Sequence, residues 1–357
     1  MTLWDLLKIA FVLVMLLQIV PVLVWLERKI SAFIQGRYGP NRVAIFGVRL
    51  GGLFQPLADA VKLIFKEDIV PATADRFLYR LAPALVLIPP MIAFTVIPFG
   101  NKWGEEHLVV ARVPVGILLL MSVLSIAVYG LAFGGWASNN KWSLLGGLRS
   151  SAQMISYELT LGLTIITAIM LSGTIDPVRI VEHQARTSME GGNELAGILR
   201  WNVFGGGNIL LAPFGIIATV LFYVASLAEN NRLPFDLPEC EAELVGGYHT
   251  EYSSMKYAMF MQGEYIAMTT MSALLTTIWL GGWHFPYLPV GNQWYHALIS
   301  HAVFAGKVGA LLILGIWIRW TLPRFRYDQL MNLGWKVLVP IALVNLALVG
   351  VIGVMAP

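Results

Sequence analysis

The 357-residue chain has one cysteine, Cys240. A lone thiol forms no intrachain disulfide and no CxxC pair, and it cannot ligate an iron–sulfur cluster, so the chain carries no electrons on its own thiolates. Charge is scarce too. Asp, Glu, Lys and Arg make up 13% of the residues, against roughly 25% in a soluble globular domain. The net charge of +3 is too small for a surface that tracks nucleic-acid phosphates. No Gly-rich phosphate loop follows a strand-like run. The six histidines do not fall as paired axial ligands on two helices, which removes a haem-bearing cytochrome b from consideration.

What remains is apolar: 57% hydrophobic residues and a mean hydropathy of +0.70. Eight runs approach the ~20 residues that a spanning helix needs. They are Leu3–Leu26, Leu81–Phe99, Val113–Phe133, Ala152–Leu171, Asn208–Ala228, Met255–Leu280, Ala297–Ile318 and Val337–Met355. The pattern predicts an all-α polytopic membrane protein, a single integral membrane domain over residues 1–357. The first run is too long for a signal peptide and lacks a small-residue cleavage site, so it reads as a retained span. Seventeen of the 24 Lys/Arg fall in loops after odd-numbered spans and six on the opposite side. By the positive-inside rule those loops face the cytoplasm or its equivalent, and both termini face outward. In the first of these loops, Gln55, Asp59, Lys62 and Lys66 fall on one helical face and apolar residues cover the other. Leu53–Phe65 therefore reads as an in-plane amphipathic helix, either a surface anchor or the lip of an opening for a lipid-soluble ligand.

Apart from Asp5 at the very start of the first, two carboxylates fall inside the predicted spans, Glu158 and Glu264. A carboxylate at mid-membrane is costly unless paired, protonated or hydrated, so such residues mark proton or ion pathways; Glu158 is near enough to the interface to snorkel. Lys307, inside the seventh run, is a possible counter-charge for Glu264. The loop from Ala228 to Val245 carries Glu229, Asp236, Glu239, Glu241 and Glu243 against the single Arg232, interleaved with Leu233, Phe235, Leu237 and Leu244. Tucked-in neighbouring carboxylates cannot all ionise, which makes them proton-relay candidates. The other reading is a solvated acidic loop that docks on a basic partner.

Several stretches resemble the H-subunit family of respiratory NADH:quinone oxidoreductase (complex I), whose mitochondrial member is called subunit 1. They are Glu27-Arg28-Lys29, Gly39-Pro40-Asn41-Arg42-Val43, Gln55 to Leu63, Gly135-Trp136-Ala137-Ser138-Asn139, Gly146 to Glu158, Ala228-Glu229, Arg232 to Leu237, Glu243-Leu244-Val245 and Pro323 to Met331. The resemblance covers nearly the whole chain. It implies a membrane subunit that forms part of a quinone chamber, with quinone as substrate and a line of buried acids coupling its reduction to proton translocation. The relay would be Glu158, Glu229, Asp236, Glu239, Glu241, Glu243 and Glu264. The chamber and its mouth would involve Arg28, Arg37, Asp59, Lys62 and Arg232, with Arg324 and Arg326 near partner chains.

The resemblance further implies that NADH, FMN and iron–sulfur clusters are bound by peripheral-arm partners, that antiporter-like and small membrane subunits are neighbours, and that this chain holds no FMN, cluster, haem or metal. The location it implies is a bacterial or mitochondrial inner membrane. Two alternatives stay open: the equivalent subunit of a membrane-bound hydrogenase or ferredoxin-driven complex, and a self-standing ion transporter using Glu264 and Lys307.

Overall fold

The structure, a computed structural model, describes residues 3–45, 47–104, 106–189, 194–236, 244–286 and 293–355. Among the described residues, seven helical segments are both long and apolar enough to cross a membrane, and the chain is an integral membrane protein. The first span, Leu3–Ile34, buries the stripe Val12, Leu16, Val20 and Leu23 and exposes Leu6, Leu13, Val14 and Leu17. One face therefore meets protein and the rest is left for lipid. The second span, Arg76–Phe94, starts where the Asp75 carboxylate accepts from the Phe77 and Leu78 N–H groups at 3.0 and 3.2 Å. This N-cap satisfies donors that the first helical turn leaves without partners.

The third span is two helices, Gly116–Leu124 and Ile126–Ala137, interrupted at Ser125. The fourth, Lys141–Ser172, is capped by Asn140 and ends on the left-handed Gly173 at φ 66°. The fifth is Ala212–Glu229 and the seventh Trp294–Thr321. The eighth runs from Tyr327 to Met355 and includes a π-helical stretch, Leu333–Leu338. Pro340 follows at once; its ring clashes with the carbonyl four residues back in an α-helix, and the wider turn relieves that clash.

The sixth span, Ser254–Trp279, is a 26-residue helix whose composition is too polar to stand with the other seven. At 1.5 Å per residue it is about 39 Å long, enough to cross. It packs against the first, second, fifth and seventh spans, and every residue from Met268 to Trp279 is buried. A helix surrounded by protein needs no lipid-facing surface, so Thr269, Thr270, Thr276 and Thr277 are tolerated with their hydroxyls bonded to backbone carbonyls.

Boundaries differ from the hydropathy reading in a consistent way. The first helix continues eight residues past Leu26, and the fourth starts eleven residues before Ala152. Hydropathy marks the lipid-embedded length, whereas the helices run on into the polar region. Between the fourth and fifth spans the described residues form the amphipathic helix Pro177–Met189, the short helix Glu194–Leu199 and tight turns. Gln184 and Asn202 from this segment are fully buried under the far end of the sixth span. Gln184 Nε2 donates to the Thr277 carbonyl at 3.0 Å, and Asn202 Nδ2 donates to that of Ile278 at 2.7 Å.

The amphipathic helix of the first loop is Gln55–Phe65. Its apolar residues Leu57, Val61, Ile64 and Phe65 are exposed, as suits a helix lying on a bilayer with that face in lipid. The segment that follows is tied to the start of the sixth span: Ser254 Oγ donates to Leu63 O, Ser253 Oγ to Glu67 O, and Lys256 pairs with Asp68 at 2.8 Å.

At the opposite end a two-stranded hairpin, Lys102–Trp103 with Glu106–His107, bridges the first span and the Pro177–Met189 helix. Lys8 reaches Glu106 at 3.2 Å, and His107 faces Glu182 at 3.9 Å. Burial, followed by Lys102 and Arg112, holds the His107 ring below the ordinary histidine range, against Glu182 and Asp176. The fold therefore prefers the neutral ring. That preference stabilises the protein fully above the unfolded pKa of about 6.5 and is lost as pH falls through the lower folded value. The melting temperature of the purified protein should drop on acidification from about pH 7.5 to about pH 5.5, and His107→Gln should flatten the drop.

Candidate functional site

Where the first, fifth, sixth and seventh spans meet, a charge network lies inside the bundle. Arg232, just past the fifth span, is 8% exposed. Its Nη1 lies 3.9 Å from Glu27 Oε2 and its Nη2 3.6 Å from Glu264 Oε2. The guanidinium also sits 4.2 Å from the ring centroid of Tyr265, a cation–π contact. Glu27 pairs with Arg319 from the end of the seventh span and accepts from the Tyr265 hydroxyl. Glu264 accepts from the Tyr248 hydroxyl at 2.5 Å. Two buried carboxylates are thus met by two guanidinium groups and two hydroxyls, the condition under which buried charge persists.

Glu264 and Glu229 line one cavity of about 30 Å³, together with Asn230, Asn231, Pro90 and Met271. A water molecule needs roughly 10–15 Å³ of such space, so one or two fit between the acids. Glu229 is buried, and its Oε2 has no hydrogen-bond partner among the described residues. Glu158 is near enough for its charge to bear on Glu229. Glu158 itself accepts from Ser125, the residue that interrupts the third span. Ser125 Oγ also lies 3.0 Å from the Met121 carbonyl, so its single O–H is shared between that carbonyl and the Glu158 carboxylate.

The loop after the fifth span is pinned from the fourth. Gln153 Nε2, fully buried, donates to the Ala228 carbonyl at 2.7 Å and the Phe235 carbonyl at 2.8 Å. Asn231 Nδ2 donates to Ser150 Oγ at 3.1 Å. Phe235 stacks on Phe325 at 5.6 Å, and the buried Asp236 carboxylate lies 3.2 Å from Arg324 Nη2. Asp236 is thereby tied to the last polar loop.

Of the residues singled out in the sequence, Glu229 and Glu264 line the cavity, Glu158 is close enough to act on Glu229, and Asp236 lies further along the loop that begins at Glu229. Glu239, Glu241 and Glu243 lie outside the described residues. Arg28 and Asp59 form an ion pair at 2.7 Å, with Gln55 also bonded to Asp59. Lys62 and Arg37 are exposed, Arg37 bonded to Gln35. Arg232 sits among the acids, apart from the Arg28–Asp59 pair. Arg326 is exposed, and its backbone N–H donates to Gln329.

Lys307 is no counter-charge for Glu264. Its ammonium donates to the carbonyls of Leu280, Gly282 and His284 at 2.6, 3.0 and 2.6 Å and lies over Trp201. It caps the far end of the sixth span, where the helix dipole favours a cation. The midplane pair on which the transporter alternative relied is not formed.

Sequence reasoning missed Glu27, Arg319, Tyr265 and Tyr248. Glu27 was legible in principle, because the helical run does not stop at Leu26. The two tyrosines carried no signal among twelve. Among the described residues, no three His, Cys, Asp or Glu side chains converge as metal ligands.

Fold and site together define an integral membrane protein: a helical bundle with carboxylates and guanidinium groups paired in its interior. The sequence profile of the NADH dehydrogenase family matches residues 7–350, and the chain belongs to that family. It is 45% identical over 347 residues to an H-type NADH-quinone oxidoreductase subunit of Syntrophobacter fumaroxidans, covering 96% of this chain and 94% of that one. It is 46% identical to an H-type subunit of the same enzyme from Geobacter metallireducens, at the same coverage. Identity to the H-type subunit of Rickettsia canadensis is 46% over 344 residues, 96% of this chain and 91% of that one.

Proposed function

We propose that this chain, as a membrane subunit of NADH-quinone oxidoreductase, walls part of the quinone chamber and relays charge from quinone reduction into proton translocation. The observation that carries the reading is the cavity shared by Glu229 and Glu264, with an unpartnered Glu229 oxygen and Glu158 beside it. Quinone is the substrate at the polar-loop end, where Arg28, Asp59, Lys62 and Arg37 shape the mouth. NADH, FMN and iron–sulfur clusters belong to peripheral-arm subunits, and the antiporter-like membrane subunits complete the pumping. The polar loops after odd-numbered spans face the cytoplasm or matrix, with both termini on the other side of a bacterial or mitochondrial inner membrane.

Two-electron reduction leaves transient negative charge on the quinone headgroup until protons arrive. At an effective dielectric near 20, two charges 4 Å apart interact by roughly 4 kcal/mol, about three pKa units. A new negative charge near the last polar loop competes for Arg324 and so changes the field on Asp236. The next acids respond in turn: Glu229 and Glu158, then Glu264 across the cavity, with Arg232 and the Glu27–Arg319 pair holding the sum of charge nearly constant. A hydrogen ion moves between neighbouring carboxyl groups: an O–H bond breaks on the acid that gives it up and one forms on the carboxylate that takes it.

Glu158→Gln and Glu264→Gln keep shape and hydrogen-bonding capacity but cannot exchange a charge. In the assembled complex, each should lower quinone-coupled proton pumping severalfold, read by a pH-sensitive dye in proteoliposomes. Full quinone reduction together with full pumping in both variants would end the relay reading.

A further inference from the structure

We infer that the end of the bundle opposite the polar mouth holds a specific site for a phospholipid with a net negative headgroup, the phosphate at Arg200 and an acyl chain in the groove between the fifth and eighth spans. Cations are few on this side of the chain, six in the sequence count above, yet Arg179, Arg186 and Arg200 fall within 22 residues of one another. On the helix Pro177–Met189, Val178, Val181 and Ala185 are buried against the bundle, while Arg179, His183 and Arg186 follow one another along the other face at i, i+4 and i+7. Arg186 and Arg200 both act electrostatically on His183, so the three groups are clustered.

Arg200 supplies the independent observation. It is half-buried. Its stem lies along Gly207, where an added Cβ would be 3.4 Å from Arg200 Cγ. Its guanidinium has no ion pair or hydrogen bond among the described residues. A partly desolvated guanidinium without an acid is costly, and its planar fork matches a phosphate. His183, held neutral by burial and by the two arginines, adds no opposing charge and has a buried ring nitrogen, Nδ1, with no partner among the described residues.

Apolar surface continues from this cluster into the membrane. Leu199, Ile209 and Leu210 are 50, 74 and 60% exposed, and Ile209–Leu211 leads directly into the fifth span. Phe214 lies about one turn and Ile217 about two turns further, the latter roughly 10 Å deeper by helical rise. That exceeds the interfacial layer of about 5–8 Å per leaflet. There a groove of about 280 Å³ opens, lined by Phe214, Ile217, Ile341, Val344 and Leu348. Phosphate level and chain level are therefore both built, in the order and at the depth that a phospholipid presents them. A free phosphate would use only the first and a partner helix only the second.

The test uses the purified, delipidated complex in mild detergent, titrated with phosphatidylglycerol or with phosphatidylcholine and read by native mass spectrometry as lipid retained per complex. Wild type should retain phosphatidylglycerol in preference to phosphatidylcholine. Arg200→Gln should weaken that retention about tenfold, equivalent to about 1.4 kcal/mol, and Ile217→Trp, which fills the groove, should weaken it similarly. Arg112→Gln, an exposed residue on the same side and 3.8 Å from Asp176, should leave it unchanged. Native gels check first that each variant complex is intact, and Arg200→Lys serves if Arg200→Gln fails to assemble. Wild-type retention in the Arg200 variant, or equal retention of both lipids irrespective of variant, reduces the finding to annular lipid and overturns the proposal. Loss in only one of the two site variants, or displacement by soluble glycerophosphate as readily as by lipid, overturns it as well.

Discussion

Arg232→Met should leave little assembled and active complex. The side chain is 8% exposed and stands between Glu27 and Glu264 with its plane over Tyr265. Methionine has a comparable volume but no charge, so both carboxylates would lose a shared cation. Removing one partner of a buried ionic cluster costs roughly 3–5 kcal/mol, a large part of the 5–15 kcal/mol that holds a typical folded domain. Arg232→Lys should be intermediate. A point charge on a flexible stem cannot span two carboxylates and stack on a ring at once. The measurements are the amount of chain in the native-gel complex and the NADH:quinone turnover per assembled complex. Wild-type amounts and turnover in Arg232→Met would show that Arg319 alone neutralises the cluster.

Gly146→Ala carries the second large effect. A Cβ at Gly146 would lie 2.7 Å from both Gly247 Cα and Tyr248 N. Both atoms are backbone, so no side-chain rotation relieves the clash. The turn Gly247–His249 must retreat, and with it Tyr248, whose hydroxyl donates to Glu264. Overpacking of this kind costs typically about 1–3 kcal/mol, and here it also displaces a donor to a buried carboxylate. The complex should melt at a distinctly lower temperature and lose most of its quinone-coupled pumping. Gly162→Ala on the same helix, with nothing within 4 Å of the added Cβ, is the matched control and should behave as wild type. Equal behaviour of the two variants would remove the turn from the mechanism.

The sequence reveals most about what must face lipid and least about which polar groups meet. Seven spans announce themselves because a bilayer demands about 20 apolar residues whatever the fold. The sixth is weaker in hydropathy because protein surrounds it, and it was still legible from its length and from the isolated glutamate within it. Glu264 could be singled out because a lone carboxylate in such a run is expensive. Its counter-charge could not, since Arg232 and Lys307 are equally plausible until the helices are placed. Arg232 arrives through the turn after the fifth span, held by Gln153, while Lys307 points to the other end. The Glu27–Arg319 pair joins residues almost three hundred positions apart, and nothing local encodes that meeting. Ser125 breaks a helix without Pro or Gly, so neither the break nor its bond to Glu158 left a trace in the pattern.

The capping of the sixth span by Lys307, Gln184 and Asn202 has a mechanical corollary. A rod clamped at its tip by five carbonyl contacts does not slide or swivel as a whole without breaking them together. Whatever travel accompanies turnover is confined to its base, where Tyr248 and the Ser253–Lys256 ties meet the first polar loop. Glu264 then rides on a post fixed above and adjustable below.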